Sequence, residues 1–252
     1  WVAGTIYPNV PLIILIVFAL AILVGFCSGQ LIARLKVPAF IATLGAMYIC
    51  RGAAMLRSGG ATFPNLFGDA AKGNLGFDLI GAGSIPGVDI PYSIIIFIVM
   101  AAIAAFIMKK TPLGNQIYAV GGNERAAQLS GIKIHKVKVF VYMFSALLAA
   151  MSGIIMTSQL RAAHPANGES WEMNAIASVV LGGTSMSGGV GTIGGTIIGV
   201  VVITVLNDGM IMMGVSSFWQ MGIKGVVSIV AVVIDLVQKD LQKKAALAAR
   251  LK

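Results

Sequence analysis

The side chains that could carry out covalent or metal chemistry are few in this sequence, and they lie far apart. A long apolar run separates His135 from His164, and Cys27 and Cys50 each lie inside an apolar run of their own. A metal site needs several imidazole, thiolate or carboxylate ligands at close spacing. The chain also contains no P-loop motif and no recognisable pair of nucleophile and base. We therefore predict no catalytic residue, no bound metal and no cofactor on this chain.

A glycine-rich stretch contains one pattern that is typical of nucleotide binding. Gly189, Gly191 and Gly194 fit G-x-G-x-x-G, which holds a dinucleotide only when it follows a strand in a βαβ unit. Both flanks here are apolar runs of membrane-spanning length, so the pattern alone is weak evidence. We expect these glycines to shape the backbone rather than to bind a nucleotide.

The same stretch predicts close helix packing and a break in a helix. Gly191, Gly195 and Gly199 recur at every fourth position, and such a stripe of small residues lets another helix approach closely in a membrane. The preceding glycines are expected to produce a discontinuous or re-entrant segment. Irregular backbone at membrane depth is tolerated only where it is buried in protein or lines a cavity. This places the segment near a pathway or a subunit interface, with close packing alone as the alternative. The candidate pathway or gate residues here are Gly182, Gly183, Thr184 and Ser185.

Three further polar residues are candidates for the same pathway. Lys224 lies inside the last apolar run, where an ionisable group is costly and often functional. Its long stem could instead carry the ammonium group to the membrane surface. Glu172 and Asn174 closely follow an aromatic residue, Trp171. Carboxylates near an aromatic ring suit sugar hydroxyls and a sugar ring face. A tryptophan is also typical of a membrane interface, so it could serve only as an anchor.

The composition predicts that membrane-spanning helices hold these residues. The chain is 58% hydrophobic and 11% charged, with a mean hydropathy of +0.92, whereas soluble domains carry about 25% charged residues. A net charge of +9 would suggest nucleic acid binding in a soluble protein. Here the basic residues lie between and after apolar runs, which the positive-inside rule explains. We predict an all-α, multi-pass bundle in the lipid bilayer, a single domain over residues 1–252 with no nucleic-acid partner.

The apolar runs predict about seven crossings, because a helix needs about 20 apolar residues to span a bilayer. The uncharged run at residues 173–207 is too long for one span, and glycines divide it in the middle, around residues 182–195. The predicted crossings are residues 11–33, 38–56, 91–108, 139–160, 173–187, 193–208 and 217–236.

The basic residues predict the orientation of these crossings. Parity puts residues 34–38, 109–138, 188–192 and 237–252 on one side, and they contain 13 of the 18 Lys and Arg residues. By the positive-inside rule that side is cytoplasmic. The C-terminal tail, residues 237–252, is therefore predicted to be cytoplasmic. The loops at residues 57–90 and 161–172 are predicted to be external.

Residues 109–138, here called the polar segment, predict a short capped helix. Asn123 is a good N-cap and Gly131 a good C′ residue. The residues between them can form about two turns, with Glu124 in the first turn, where the helix dipole favours a negative charge. A helix this short is unstable alone in water. It must therefore pack against neighbouring spans and lipid headgroups, or dock into a partner protein.

Residues 121–132 closely resemble the coupling segment of the ribose, xylose and galactose permeases of bacterial ATP-binding-cassette (ABC) importers. They read Gly-Gly-Asn-Glu-Arg-Ala-Ala-Gln-Leu-Ser-Gly-Ile. The resemblance covers almost the whole chain. Other stretches that fit the same family are residues 37–45, 51–52, 175–185, 187–192, 214–217, 220 and 224–225.

The resemblance implies a permease subunit of the bacterial inner membrane that works by alternating access. Two permease subunits, identical or different, would form the pathway, and a periplasmic sugar-binding protein would deliver a monosaccharide. Two cytoplasmic ATPase subunits, which hold the ATP and Mg, would drive the movement. The residues expected to couple the permease to the ATPase are Gly121, Gly122, Asn123, Glu124, Arg125, Ala126, Ala127, Gln128, Leu129, Ser130 and Gly131.

Two departures from the family and three other functions bear on this interpretation. The family's N-terminal Gly-Gly-Ile-Asp-Leu-Ser-type motif is missing, so we expect an N-terminal truncation, and Asn174 stands where the family usually has Asp. An ion-coupled secondary transporter would be expected to carry buried carboxylates, whereas Glu172, Asp208 and Asp235 lie near span ends. An ABC permease for amino acids is a close alternative. An intramembrane enzyme is disfavoured because no catalytic constellation is visible. The sequence does not name the sugar.

Overall fold

The computed structural model describes residues 9–63, 66, 76–87, 89–227, 229–230, 233 and 237. Within these residues the regular secondary structure is helical, apart from isolated antiparallel bridges between Phe63 and Ala163 and between Ser84 and Pro91. The predicted all-α class is confirmed. The helices are α1 (Val10–Arg34), α2 (Ala39–Ser58), α3 (Leu79–Ala82), α4 (Tyr92–Lys110), α5 (Pro112–Gly122), α6 (Glu124–Leu129), α7 (Ile134–Leu160), α8 (Trp171–Leu181) and α9 (Ile193–Met212).

Five of these helices are long and apolar enough to cross a membrane, namely α1, α2, α4, α7 and α9. They correspond to the first four predicted crossings and to the sixth, as expected for a multi-pass membrane protein. The two remaining predicted crossings, the fifth and the seventh, do not match a span-length helix of the structure. The helix predicted over residues 173–187 is α8, which ends earlier because Gly182 and Gly183 follow it. The crossing predicted over residues 217–236 is helical over 217–227.

The length of α8 is the main difference from the prediction. Its 11 residues rise about 16 Å at about 1.5 Å per residue, roughly half the hydrocarbon core of about 30 Å. Parts of other predicted segments lie outside the described residues. These are most of residues 228–236, most of the tail 237–252, and residues 64–65, 67–75 and 88 of the loop predicted at 57–90.

The chain divides into two compact units, and the first comprises Trp1–Ile103 with Gly131–Asn167. Its main contact joins α1 and α7 through glycines four residues apart. A Cβ atom at Gly25 would lie 2.7 Å from the carbonyl oxygen of Tyr142, and one at Gly29 would lie 2.9 Å from the Cα atom of Val139. The two backbones therefore touch. This Gly-x-x-x-Gly contact is typical of membrane helices, and it was not predicted from the sequence.

α1 and α7 run antiparallel, because the C-terminal end of α1 meets the N-terminal end of α7. The Nε2 atom of His135 lies 2.8 Å from Oε1 of Gln30 and 3.1 Å from Nε of Arg34. The arginine Nε can only donate, whereas the imidazole nitrogen donates or accepts according to its tautomer. These contacts put residues 34–38 and the start of α7 at the same end of the helix pair.

At the other end of α7, a fully buried serine holds α3. The Oγ atom of Ser158 accepts a hydrogen bond from the backbone N–H of Gly81 at 2.8 Å. The same hydroxyl donates to the carbonyl of Phe77 at 2.7 Å, with the carbonyl of Asp78 as a second acceptor at 3.0 Å. An ion pair of 3.4 Å between Arg161 and Asp78 lies beside it. The apolar cluster under this end contains Leu66, Phe77 and Ile154.

The second unit comprises Ala104–Ser130 with Gly168–Lys252. In it α8 and α9 lie side by side, joined by residues 182–192, here called the glycine-rich turn. A Cβ atom at Gly199 would collide with the carbonyl of Ser178 and lie 2.9 Å from the backbone nitrogen of Gly182. A Cβ atom at Gly195 would collide with the carbonyl of Gly182. Of the predicted stripe, Gly195 and Gly199 are in α9, whereas Gly191 precedes the helix and lies in the turn.

Candidate functional site

The polar segment begins with a helix, α5, that was not predicted from the sequence. Its N-cap is Thr111, whose Oγ atom accepts from the backbone N–H of Gly114 at 3.3 Å and donates to the carbonyl of Ile107 at 2.6 Å. Pro112 is the first residue of the helix, where a backbone N–H would have no partner within the helix, so proline costs no hydrogen bond there. A Cβ atom at Gly114 would collide with the carbonyl of Met108, so glycine permits the sharp turn out of α4. Thr-Pro at a helix start is a signal that the sequence contained.

Asn123 joins α5 to α6 and caps α6 as the sequence predicts. It is extended, with φ −155°, and its Oδ1 atom accepts from the backbone N–H of Ala126 at 3.0 Å. Glu124 lies in the first turn. Gly131 follows the helix with φ +82°, the left-handed conformation expected of a C′ glycine. The short helix and its two end residues therefore lie at the predicted positions.

The side chains of α6 divide into a buried side and a free side. Ala127 is 4% exposed, whereas Leu129, two residues later, is 90% exposed. Arg125 and Gln128 are exposed as well. Within the described chain, the free side of α6 thus presents one large apolar group among polar and charged ones.

The glycine-rich turn is an ordered structure with its own backbone hydrogen bonds. The N–H of Ser185 donates to the carbonyl of Val190 at 3.0 Å, and the N–H of Thr184 donates to the carbonyl of Val179 at 3.0 Å. Three residues of the turn have positive φ, a conformation that glycine adopts without strain. They are Gly183 (φ +83°), Gly188 (φ +85°) and Gly189 (φ +77°).

The elements on either side of the turn argue against a dinucleotide site at the G-x-G-x-x-G pattern. The element before it is the helix α8, whereas the nucleotide motif requires a strand. The element after it is α9, whose N-cap Thr192 accepts from the backbone N–H of Gly195 at 3.0 Å. The side chain of Thr192 thus satisfies one of the N–H groups at the start of this helix.

α5 lies directly against the glycine-rich turn. The hydroxyl of Tyr118 donates to the carbonyl oxygen of Gly191 at 2.7 Å. One turn further along α5, a Cβ atom at Gly121 would lie 2.7 Å from the backbone nitrogen of Gly189. In return, a Cβ atom at Gly188 would lie 3.0 Å from the Cα atom of Gly121. A hydrogen bond and a direct backbone contact therefore join the polar segment to the turn.

A cavity of about 280 Å³ lies beside this contact. Its walls are mostly apolar, and the lining residues that carry a hydroxyl group are Tyr118, Thr184, Ser185, Thr192 and Thr196. Ligand pockets usually have volumes of about 300–1,000 Å³. The cavity is thus small for a ligand site, and it leaves free space next to the turn.

The remaining candidate pathway residues lie away from this contact. Glu172 and Asn174 are half-buried in the first turn of α8, where the carbonyl of Asn174 accepts from the hydroxyl of Ser178 at 2.7 Å. They lie at the opposite end of α8 from the glycine-rich turn, and the 11 residues of this helix rise about 16 Å, at about 1.5 Å per residue. Lys224 is half-buried within the helical residues 217–227. The described His, Cys, Asp and Glu side chains include no group of three that could hold a metal ion.

Comparison with known proteins identifies the family. Residues 1–232 match the family described as branched-chain amino acid transport system / permease component. The chain belongs to this permease family.

Within this family the chain is similar to bacterial sugar permeases. It is 45% identical to the ribose import permease protein RbsC of Bacillus subtilis, over 82% of this chain and 62% of that protein. It is 44% identical to RbsC of Haemophilus influenzae, over 89% of this chain and 68% of the relative. It is 36% identical to the galactose/methyl galactoside import permease protein MglC of the same organism, over 90% and 67%. The chain thus spans about two thirds of the length of these relatives. No solved structure matches it significantly.

Proposed function

We propose that this chain is the permease subunit of an ABC importer that moves a monosaccharide into the bacterial cytoplasm by alternating access. The observation that carries the proposal is the 45% identity to a ribose import permease over 82% of the chain. The galactose relative supports the same class of substrate. Because the sequence contains no P-loop, ATP and Mg would bind a separate ATPase, and this subunit would be a transport component rather than an enzyme.

Two other transport functions fit the observations less well. The family description refers to branched-chain amino acids, but both RbsC relatives and MglC are sugar permeases. An ion-coupled transporter would be expected to bury carboxylates as ion sites. Glu172 is half-buried at the start of α8, and Asp208 is exposed near the end of α9. Asp235 lies outside the described residues.

Seven crossings remain our proposal, with α8 and the helix that begins at residue 217 added to the five span-length helices. The contact of α5 with the glycine-rich turn supports this. α5 begins two residues after α4 ends at Lys110, so its contact with the turn puts the turn at the same end of α4 as the polar segment. The predicted topology requires residues 109–138 and 188–192 to lie on the same side in this way.

We place the polar segment and the C-terminal tail in the cytoplasm, at the inner membrane of a bacterium. The excess of Lys and Arg on one side of the predicted topology supports this orientation. The contacts of His135 with Gln30 and Arg34 support the predicted topology, because they bring together residues 34–38 and the end of the polar segment, both predicted to lie on the cytoplasmic side.

The proposed coupling element is α6, with residues 121–131 around it. Its exposed Leu129 and Arg125 would contact an ATPase subunit, since an apolar side chain among polar ones is a common form of small docking surface. A capped helix can pass a rigid-body movement to the helices that it joins. The other proposed partners are a second permease subunit, a second ATPase subunit and a periplasmic sugar-binding protein.

The proposed pathway runs along α8 and the glycine-rich turn. A short helix followed by irregular backbone is tolerated in a membrane where it lines a cavity, and many transporters bind substrate at such broken helices. The close approach of α8 and α9 at Gly195 and Gly199 would hold this element together, with Gly191 in the turn. The proposed pathway or gate residues are Glu172, Asn174, Gly182, Gly183, Thr184, Ser185 and Lys224.

Purification of the tagged, full-length permease from its native cells in mild detergent tests this function. We expect an ATPase to co-purify in stoichiometric amount and labelled monosaccharide uptake to require ATP. Asn123→Pro should abolish the ATPase association, because proline cannot adopt φ −155° and lacks the N–H that donates to Ala119. Gly153→Ala is the matched control, since its Cβ atom would enter open space. A permease that purifies alone and whose uptake persists without ATP but collapses with the proton gradient would contradict the proposal.

A further inference from the structure

The polar segment contains no flexible linker between the proposed docking helix and α5. Asn123 is the single residue between them, and it is hydrogen-bonded to both helices. Its backbone N–H donates to the carbonyl of Ala119 in α5 at 3.0 Å, and its side chain caps α6 at Ala126. A displacement applied to α6 is therefore passed to α5 rather than absorbed by the connection.

The face of α5 that meets the glycine-rich turn has two kinds of contact. Tyr118 and Gly121 are three residues apart and so lie on one face of the helix. The backbone contact at Gly121 resists compression, because no side chain lies between it and Gly189. The hydrogen bond from Tyr118 to Gly191 resists separation. Together they can transmit both a push and a pull from α5 to the turn.

The glycine-rich turn is placed so that such a movement would reach both of its helices. Gly191 immediately precedes Thr192, the N-cap of α9, and Gly182 ends α8. The cavity of about 280 Å³ beside the contact provides space into which the turn can shift. The turn is thus held to α5 on one side while it borders free volume on another.

We propose that Tyr118 and Gly121 are positioning residues that transmit movement of the docking helix to the glycine-rich turn, and so open or close the pathway. The inference rests on the proposed function, because it needs an ATPase that moves α6. Tyr118 is half-buried and lines the cavity, whereas Arg125 and Leu129 are exposed on α6. Transmission and docking therefore depend on different side chains, and substitutions can separate them.

Tyr118→Phe is the main test, made in the complete complex of permease, ATPase and binding protein in proteoliposomes. The ring remains and only the hydrogen bond to Gly191 is lost. We expect unchanged ATPase stoichiometry and hydrolysis within about twofold of wild type, while sugar transported per ATP falls about fivefold, the size of one net hydrogen bond. Gly121→Ala should lower this ratio further, because its Cβ atom would lie 2.7 Å from the backbone nitrogen of Gly189 and would push the turn away from α5. Tyr48→Phe, at an exposed tyrosine of α2, and Gly194→Ala, whose Cβ atom would enter open space, are the controls.

A second measurement tracks the turn itself. Val190 is 66% exposed and adjoins Gly191, so Val190→Cys, with both native cysteines replaced by alanine, is a labelling site. Its rate of reaction with a thiol reagent should change with the nucleotide state, and Tyr118→Phe should abolish that change. This measurement tests whether Tyr118 transmits movement to the turn even if Gly121→Ala does not fold.

The outcomes separate this inference from the proposed function. A wild-type permease with no associated ATPase refutes the function itself. A working wild-type complex in which Tyr118→Phe and Gly121→Ala both transport normally per ATP refutes the transmission role alone. Loss of ATPase binding in Tyr118→Phe would also refute it, because Tyr118 would then act in docking.

Discussion

Two pairs of helices in this molecule approach each other through glycine, and they differ in the backbone next to the contact. α1 and α7 are both of membrane-spanning length, and Gly25 and Gly29 lie within a regular helix. α8 has 11 residues, and its contact with α9 leads into a turn with three positive-φ glycines. Regular helices satisfy their own backbone groups, whereas the turn depends on bonds such as those of Ser185 and Tyr118. The first pair has the features of a rigid scaffold, and the second those of an adjustable element.

The largest effect on stability is expected at the α1–α7 contact. In Gly25→Ala the new Cβ atom would lie 2.7–2.8 Å from backbone atoms of Tyr142 and Met143, which cannot move aside without shifting a helix. We expect a loss of about 3 kcal/mol in unfolding free energy, the upper part of the range for overpacking. Thermal melting in detergent measures it, with Gly45→Ala of α2, which enters open space, as the control. A melting temperature equal to that of the control would disprove the tight contact.

A smaller effect, confined to the same unit, is expected from Ser158→Ala. The substitution leaves the backbone N–H of Gly81 without the acceptor that it has at 2.8 Å. We expect a loss of about 2 kcal/mol, within the range for an unsatisfied buried donor. Because Ser158 belongs to the scaffold pair and not to the turn, sugar transport per ATP should remain at the wild-type value. A variant that melts normally would mean that another group replaces the hydroxyl.

Gly199→Ala should have the opposite effect to Gly25→Ala, with a small loss of stability and a large loss of transport. Its Cβ atom would collide with the carbonyl of Ser178 and force α8 away from α9. α8 is short and ends in the turn, so it can shift, and we expect a loss of only about 1 kcal/mol, the lower end for overpacking. Transport should nevertheless fall by much more than in Gly25→Ala molecules that remain folded. Gly209→Ala, in the same helix with open space around it, is the control. Normal uptake by Gly199→Ala would remove the distinction between the two helix pairs.

The smallest effect on stability is expected from Leu129→Ala. The side chain is 90% exposed, and surface substitutions usually change stability by no more than about 0.5 kcal/mol. The affinity for the ATPase should nonetheless fall, which a titration of ATPase onto immobilised permease would measure. Leu35→Ala, another exposed leucine (69%) outside α6, is the matched control. Equal affinities of the two variants would exclude Leu129 from the docking surface.

The local features of the polar segment could be predicted only in part. The ends of α6 followed from Asn123 and Gly131, because a cap depends on residues within one turn of the chain. α5 was missed although Thr111 and Pro112 mark its start. It contains Gly114, Gly121 and Gly122, which are poor helix formers, and it is held by its contact with the glycine-rich turn. Propensity alone does not report a tertiary contact of this kind.

The sequence by itself determined the helical class, the five predicted crossings that are span-length helices in the structure, and the capped helix α6. These properties depend on composition, the length of apolar runs and short-range capping. Only the tertiary structure decided which glycines bring helices together. The sequence pattern did not single out Gly25 and Gly29, and Gly191 lies in a turn rather than in a helix. The tertiary structure also brings Tyr118 against Gly191, a contact between residues 73 positions apart in the chain. A glycine carries no side chain to indicate its partner, so its role depends on which backbone comes close to it in the folded chain.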